Sequence, residues 1–322
     1  MLVIVDTISF RANFDSYEKL VDFLGIEGID FLSSDKRFNM NYLSSLFYEG
    51  IKIGIDGQAG WEYYIHMSGK GCRTFEDIQG DNFSWEKFLF NLSLKIKCNE
   101  VALTRIDLAC DEYDNVLNLE RAERYILQKK YLTRCPDSSI RLTKFGEECL
   151  YVGSPQSKTL LRIYNKKLER GYSKEDFEEI EYWHRCELQL RDEHAQQVVI
   201  EIGEGQNIGK VFAGHTRYHF NFLTKENKRD GCQSRIPVAT WWNSFLCNAS
   251  EIAWSQTPGS EYNMHRLQKY AIGNAGSSIK TMIEAQGLNA EQLYAIYTEP
   301  GIKLREDQKA FIKHYGGRNE TV

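Results

Sequence analysis

Three short tracts of this chain alternate polar and apolar side chains, and alternation at a period of two marks a β-strand with two unlike faces. The tracts are Arg105-Ile-Asp-Leu-Ala-Cys-Asp111, Leu160-Leu-Arg-Ile-Tyr-Asn-Lys-Lys167 and Arg185-Cys-Glu-Leu-Gln-Leu-Arg191. In the first, Arg105, Asp107 and Asp111 share one side. In the second, Arg162, Tyr164 and Lys166 do so, and in the third Arg185, Glu187, Gln189 and Arg191. Ile106, Leu108, Cys110, Leu161, Ile163, Cys186, Leu188 and Leu190 fall on the opposite sides and are expected to be core. If the three strands share a sheet, one face gathers carboxylates, cations and a phenol. That inventory suits a metal-assisted phosphodiester site better than a solvent-facing surface.

The chain has 322 residues, enough for one large domain or two ordinary ones. With 26% charged and 42% hydrophobic residues it is an ordinary globular composition. A net charge of −5 excludes a uniformly basic nucleic-acid binder, so any DNA contact must use local cationic clusters. The eight cysteines include no CxxC pair, and Cys110 and Cys186 lie on apolar strand faces. Reduced, structural thiols and a cytoplasmic location are expected. Asp6 interrupts the first apolar run too early for a signal peptide, and no run approaches the roughly 20 residues that span a bilayer, so no membrane partner is expected.

Periodicity predicts strands over residues 2–10, 47–56, 61–67, 101–112 and 181–191, with three more between 139 and 168, broken at Gly146 and at 153–157. It predicts helices over 16–24, 84–96, 117–129 and 192–202. No close sequence repeat is present, although strand and helix blocks recur in both halves. From Lys225 to Gly231 the chain is charged and turn-prone, and residues 239–318 read as mostly helical. The expected organisation is an α+β body over residues 1–224 and a helical C-terminal module over 225–322, serving DNA specificity or dimerisation.

A tyrosine on a strand is ordinarily a packing residue. A free phenol has a pKa of about 10 and attacks poorly near neutrality, so a nucleophilic role needs a cation, a metal or a base beside it. Arg162 and Lys166 share the face of Tyr164, in position to lower its pKa and to hold phosphate oxygens. Asp107, Asp111 and Glu187 are hard oxygen donors suited to Mg²⁺ or Mn²⁺, although each has an arginine nearby with which it could simply pair. Asp6 is a carboxylate in an otherwise apolar first strand, and so a weaker candidate. Gly69-Lys-Gly71, followed by Arg73, reads as a glycine turn after a strand, or as a backbone approach to phosphate. His215 and His219 have helical spacing but no supporting ligands, so a surface or packing role is expected. Tyr63, Tyr64, Trp183 and the Trp241-Trp242 pair are candidate stacking residues for unpaired bases, with burial the commoner fate.

These residues resemble the Rep_trans superfamily of replication initiation factors, which includes rolling-circle plasmid initiators, filamentous-phage initiators and conjugative-element relaxases. The resemblance rests on Thr104-Arg-Ile-Asp-Leu-Ala-Cys-Asp111, on Leu160 to Arg170 and on His184 to Arg191, with Met67 to Arg73 similar to a segment of the phage and conjugative-element branch. It covers roughly residues 1–220. It implies a curved, largely antiparallel sheet with helices on one side, like the TATA-binding-protein saddle. It also implies that Tyr164 is the DNA-nicking nucleophile and that Asp107 and Glu187, with Asp111 less directly, ligate a divalent metal. Arg162 and Lys166 would then assist catalysis, and Lys158, Lys167, Arg170, Arg73, Arg105 and Arg185 would contact DNA. The histidine-hydrophobe-histidine triplet of the larger nicking-relaxase class is absent, so carboxylates are left to hold any metal. The leading expectation is an enzyme that nicks one strand at a replication origin, leaving a 5′-phosphotyrosine and a free 3′-hydroxyl. A conjugative relaxase of the same chemistry, a non-catalytic origin-binding protein and a phosphodiesterase using water are the alternatives. Origin DNA is the implied partner, and a homodimer is an open arrangement. No Walker motif is present, so a host helicase would have to unwind the strand.

Overall fold

Ten antiparallel strands form one sheet, in an order that places the first strand of each half of the chain at the centre. The computed structural model describes residues 1–34, 38, 41–57, 60–136, 139–143, 148–170, 181–226, 236–250, 271 and 276–297. The first half contributes β1 (Leu2–Ala12), β2 (Leu32–Ser34), β3 (Tyr42–Tyr48), β4 (Ile51–Gly57) and β5 (Tyr63–Met67). The second contributes β6 (Val101–Glu112), β8 (Ile140–Thr143), β9 (Cys149–Val152), β10 (Thr159–Asn165) and β11 (His184–Arg191). Across the sheet the order is β2-β3-β4-β5-β1-β6-β11-β10-β9-β8. Each half therefore lays its long first strand centrally and its last strand beside it, with the intervening strands stepping inward from the edge. A small second sheet pairs β7 (Tyr131–Thr133) with β12 (Phe220–Phe222).

Local chemistry sets the element ends. Ser16 caps α1 (Tyr17–Leu24) and Gly25 closes it in the left-handed conformation. Ser84, Asn118 and Asn207 cap α3 (Trp85–Lys97), α4 (Leu119–Leu127) and α7 (Ile208–His219) by accepting from backbone N–H groups. The strand expected over 47–56 is instead divided. Glu49 and Gly50 both adopt positive φ and turn β3 tightly into β4. The expected glycine turn at Gly69-Lys-Gly71 is the first turn of α2 (Gly69–Gln79). There a Cβ on Gly71 would lie 2.3 Å from the Gly50 carbonyl oxygen, so Gly71 serves close backbone packing.

The apolar strand faces are buried as expected: Ile106, Leu108, Cys110, Cys186, Leu188 and Leu190 are wholly inaccessible. Against them pack α3 and α6 (Asp192–Gly203), α6 presenting Ala195, Val198, Val199 and Ile202. Gly203 lets the two helices close on each other, since a Cβ there would lie 2.6 Å from Ser93 Oγ. Each fully buried leucine in this layer contributes about 1.5–3 kcal/mol. The seven cysteines among the described residues are free thiols.

Two compact units are present. One comprises Met1–Cys72 and Asn82–Pro258, including both sheets and α8 (Thr240–Ser250), which packs on α7. The other comprises Arg73–Asp81 and Gly259–Val322 and includes α9 (Gly276–Gln286) and α10 (Ala290–Tyr297). Among the described residues, no helix is long and apolar enough to cross a membrane.

Candidate active site

β6, β11 and β10 are consecutive neighbours in the sheet, so the three alternating tracts share one face. Register arranges that face in cross-strand rows. Asp107 lies opposite Gln189; Ala109 faces Glu187, which faces Arg162; Asp111 faces Arg185, which faces Tyr164. Rows on one face are two residues apart, roughly 7 Å. Tyr164, Glu187, Asp107 and Asp111 thus fall within a few rows although their tracts are separated by dozens of residues.

This polar face is largely buried. Asp107, Asp111, Glu187, Arg185 and Gln189 are each at most 4% exposed. Buried charges must be paired, and these are. Arg185 forks onto Asp111, with Nε–Oδ1 at 2.7 Å and Nη2–Oδ2 at 2.8 Å, and donates its third arm to Asp6 Oδ1 at 2.6 Å. Asp6 reaches it because β1 has an irregularity between Val5 and Thr7 that shifts the strand register. Arg105 forks onto Asp107, donating from Nε to Oδ1 at 2.8 Å and from Nη2 to Oδ2. Arg162 pairs with Glu187 Oε1.

The Tyr164 hydroxyl donates to Glu187 Oε2 at 3.0 Å. Burial pushes the phenol well above its ordinary pKa, and the Glu187 charge adds to the rise. This corrects the expectation that Arg162 and Lys166 lower it. Both cations lie 5.6 Å from the centroid of the Tyr164 ring, while the hydroxyl itself meets a carboxylate. Burial also raises Asp107 to about 7; the Arg105 hydrogen bond opposes the rise and the Glu187 charge adds to it. Burial disfavours the charges of Arg162 and Arg185, but Glu187 and Asp111 respectively more than offset this and hold both guanidiniums firmly protonated.

Immediately after Tyr164, Asn165 Oδ1 accepts from Leu168 N–H at 3.2 Å and turns the strand into the short helix α5 (Lys166–Glu169). This turn keeps Lys166, Lys167 and Arg170 at the tyrosine end of the sheet, with Lys166 buried and paired to Glu169 at 2.6 Å. Lys158 and Arg105 are not at that end. Lys158 lies beyond the opposite end of β10 and pairs with Glu193 on the surface. Arg105 faces Arg191, six residues from Asp111, and is bonded to Asp107. Arg73 belongs to the other compact unit and pairs with Glu76. His215 bonds Glu201 at 2.9 Å, whereas His219 and His194 both meet Thr159 Oγ1, so the histidine pair shares no ligand.

Among the described residues, no group of three or more His, Cys, Asp or Glu side chains is placed to hold a metal ion. The donor set is nevertheless of the right kind. Asp107 and Glu187 are diagonal neighbours across β6 and β11, both buried, and the Glu187 charge disfavours that of Asp107. A divalent cation relieves such a repulsion, and all-oxygen donors favour Mg²⁺ or Mn²⁺. Gln189, opposite Asp107, has a buried amide Nε2 with no hydrogen-bond partner among the described residues. Arg185 occupies both oxygens of Asp111, just as Arg105 occupies both of Asp107. Asp6, a carboxylate in an otherwise apolar strand, joins this face through its pair with Arg185.

The family assignment follows from comparison with known proteins. Residues 101–295 match the replication initiation factor family, and residues 3–91 match the N-terminal domain of rolling circle replication initiation proteins. The chain belongs to the replication initiation factor family, that of rolling-circle initiators and relaxases. A relative from Bacillus subtilis (strain 168), named "Putative DNA relaxase NicK", is 24% identical over 80% of this chain and 73% of its own length. The rolling circle replication initiator protein of Geobacillus stearothermophilus shares the fold, with a TM-score of 0.65 at 24% identity over 80% of this chain and 99% of that one. The two matched segments divide the chain where the strand order begins to repeat, between α3 and β6.

Proposed function

We propose that this protein initiates rolling-circle replication by nicking one DNA strand at an origin, with Tyr164 as the nucleophile. A conjugative relaxase would use the same chemistry. The observation that carries the reading is the Tyr164 hydroxyl donating to Glu187 Oε2 at 3.0 Å on a face lined by Arg162, Arg185 and Lys166. A phenol with a raised pKa needs a base at the moment of attack, and Glu187 is within proton-transfer reach. As Tyr164 Oη bonds to phosphorus, its proton passes to Glu187, the bond to the 3′ oxygen breaks, and that oxygen takes a proton from solvent water. The products are a 5′-phosphotyrosine and a free 3′-hydroxyl. The phosphodiester energy stays in the link, so rejoining needs no nucleotide.

Asp107 and Glu187 would hold a divalent metal, Mg²⁺ or Mn²⁺, with Asp111 as a further carboxylate. Bound there, the ion supplies Lewis-acid polarisation of a phosphoryl oxygen. Arg162 balances the Glu187 charge and, with Lys166, Lys167 and Arg170, offers cations to the phosphate backbone. In this reading residues 1–224 form the nicking body, onto which α8 packs through α7, and residues 225–322 supply origin specificity or dimerisation. A host helicase would unwind the displaced strand in the cytoplasm.

The test is a denaturation-resistant protein–DNA adduct, formed with Mn²⁺ and single-stranded origin DNA. Wild type should form it and Tyr164→Phe should not; equal adducts from both would sink the reading. Glu187→Ala should lower nicking by about 10²-fold or more while changing DNA affinity less than about threefold, because affinity rests on cationic phosphate contacts. Parallel losses in a gel-shift and a nicking assay would reassign Glu187 to scaffolding.

A further inference from the structure

The row beyond Tyr164 on the same face is aromatic. His184 is paired with Glu112, and continuing that register one residue sets Trp183 opposite Tyr113. By alternation both lie on the side of Arg185 and Asp111. Their ring centroids are 6.0 Å apart with planes 31° from parallel. The Arg170 guanidinium lies 5.1 Å from the centroid of the Trp183 ring. Tyr113 is 38% exposed and Trp183 is half-buried, whereas the charged row beside them is closed. The Lys166 N–H donates to the Trp183 carbonyl at 2.9 Å, tying this row to the turn that follows Tyr164. One row is two residues of strand, roughly 7 Å, about the spacing of neighbouring nucleotides in an extended single strand.

We propose that Trp183 and Tyr113 form a stacking platform for the unpaired nucleobase next to the scissile phosphate, with Arg170 holding the adjoining backbone. The proposal rests on the nicking reading given above and adds how the reacting strand is positioned. The rings supply π-faces without a fixed hydrogen-bond pattern, and Arg170, Lys166 and Lys167 supply positive charge beside them. Flat rings flanked by cations are complementary to a single-stranded nucleic acid, which alternates bases with phosphates. The charged row alone could grip phosphate but could not tell a stacked base from an empty sugar. Trp183 and Tyr113 are positioning residues here, since neither touches the reacting atoms.

The test compares two oligonucleotides of equal length, about 12 nucleotides, one of thymidine and one wholly abasic. They share phosphates and differ in bases. Wild type should bind the thymidine strand about 5- to 100-fold more tightly, the range expected for stacking one or two bases. Trp183→Leu should bring that ratio close to one while leaving affinity for the abasic strand within about threefold. Tyr113→Leu, at the more exposed ring, should lower the ratio to a smaller extent. A wild-type ratio near one overturns the platform, and so does a ratio unchanged in Trp183→Leu. If Trp183→Leu also loses the abasic strand, its fold is impaired and Tyr113→Leu decides: an unchanged ratio there overturns the platform. The adduct assay keeps the two ideas apart. An adduct at Tyr164 without base preference sinks the platform alone, and base preference without an adduct sinks the nicking reading alone.

Discussion

In the first half of the sheet, β4, β5 and β1 set Lys52, His66 and Ser9 in one cross-strand row; in the second, β10, β11 and β6 set Arg162, Glu187 and Ala109 in another. The strand order is the same in both halves, and the rows occupy the same face of one sheet. Yet the first half holds a neutral hydrogen bond, Ser9 Oγ to His66 Nδ1 at 2.8 Å, and a tyrosine, Tyr64, bonded to the Thr104 hydroxyl at 3.2 Å. The second holds three arginine–carboxylate pairs and a tyrosine bonded to a carboxylate. Shared architecture therefore does not carry the chemistry. The proposed chemistry rests instead on one pair in the second half, Glu187 bonded to the Tyr164 hydroxyl.

The largest expected effect separates the two tyrosines. Tyr164→Phe should reduce adduct formation at least about 10³-fold, as loss of a nucleophile does. Tyr64→Phe should leave it within about twofold. If the two variants lose activity alike, the halves are not functionally distinct. Stability should divide them next. Arg185→Met leaves Asp111 and Asp6 without their guanidinium, so urea unfolding should show a loss of about 3–5 kcal/mol. Lys52→Met in the first half removes only an exposed cation 5.9 Å from the Phe47 ring centroid and should cost under about 1 kcal/mol.

Their pH dependence should have opposite sign. Asp107 is raised to about 7, so its folded form binds a proton that the unfolded chain has already lost. Its contribution is complete below about pH 4 and fades as pH rises towards 7. His66 is lowered to about 4 by burial and by Lys52 and Arg105. Its contribution is complete above about pH 6.5 and fades as pH falls towards 4. In metal-free buffer, Asp107→Asn should make the melting temperature rise more steeply between pH 4 and 7, and His66→Gln should flatten that rise. Slopes that move the same way would refute the contrast. The smallest effect is expected at Lys158→Ala. It removes one surface ion pair far from Tyr164, so stability should change by less than about 1 kcal/mol and nicking by less than twofold.

Much of this was legible in the sequence. Alternation located β6, β10 and β11, named their buried faces and collected Tyr164, Glu187 and Asp107 as candidates. The helix over 84–96, which Ser84 caps, was likewise legible, whereas α7, capped by Asn207, was not expected. The β3–β4 turn was missed because Glu49-Gly50 lies inside a run rich in strand-forming residues, where only the positive φ of both reveals the reversal. The first turn of α2 was read as a loop because glycine suggests a turn, whereas here it lets two backbones meet. The direction of the Tyr164 pKa was misjudged for a similar reason. Sequence shows which cations are near in the chain, but not that the hydroxyl lies buried against a carboxylate.

By itself, the sequence determined which side chains face together along each strand, because a period of two is a property of the local backbone. Only the tertiary structure decided that three such faces adjoin and which charge meets which. Arg185 finds Asp111 across 74 residues and Asp6 across 179. Strand order, register and an irregularity in β1 bring those partners within hydrogen-bond reach. The same packing removes water from the face and turns a list of charged residues into an ion-paired site with Tyr164 at its edge.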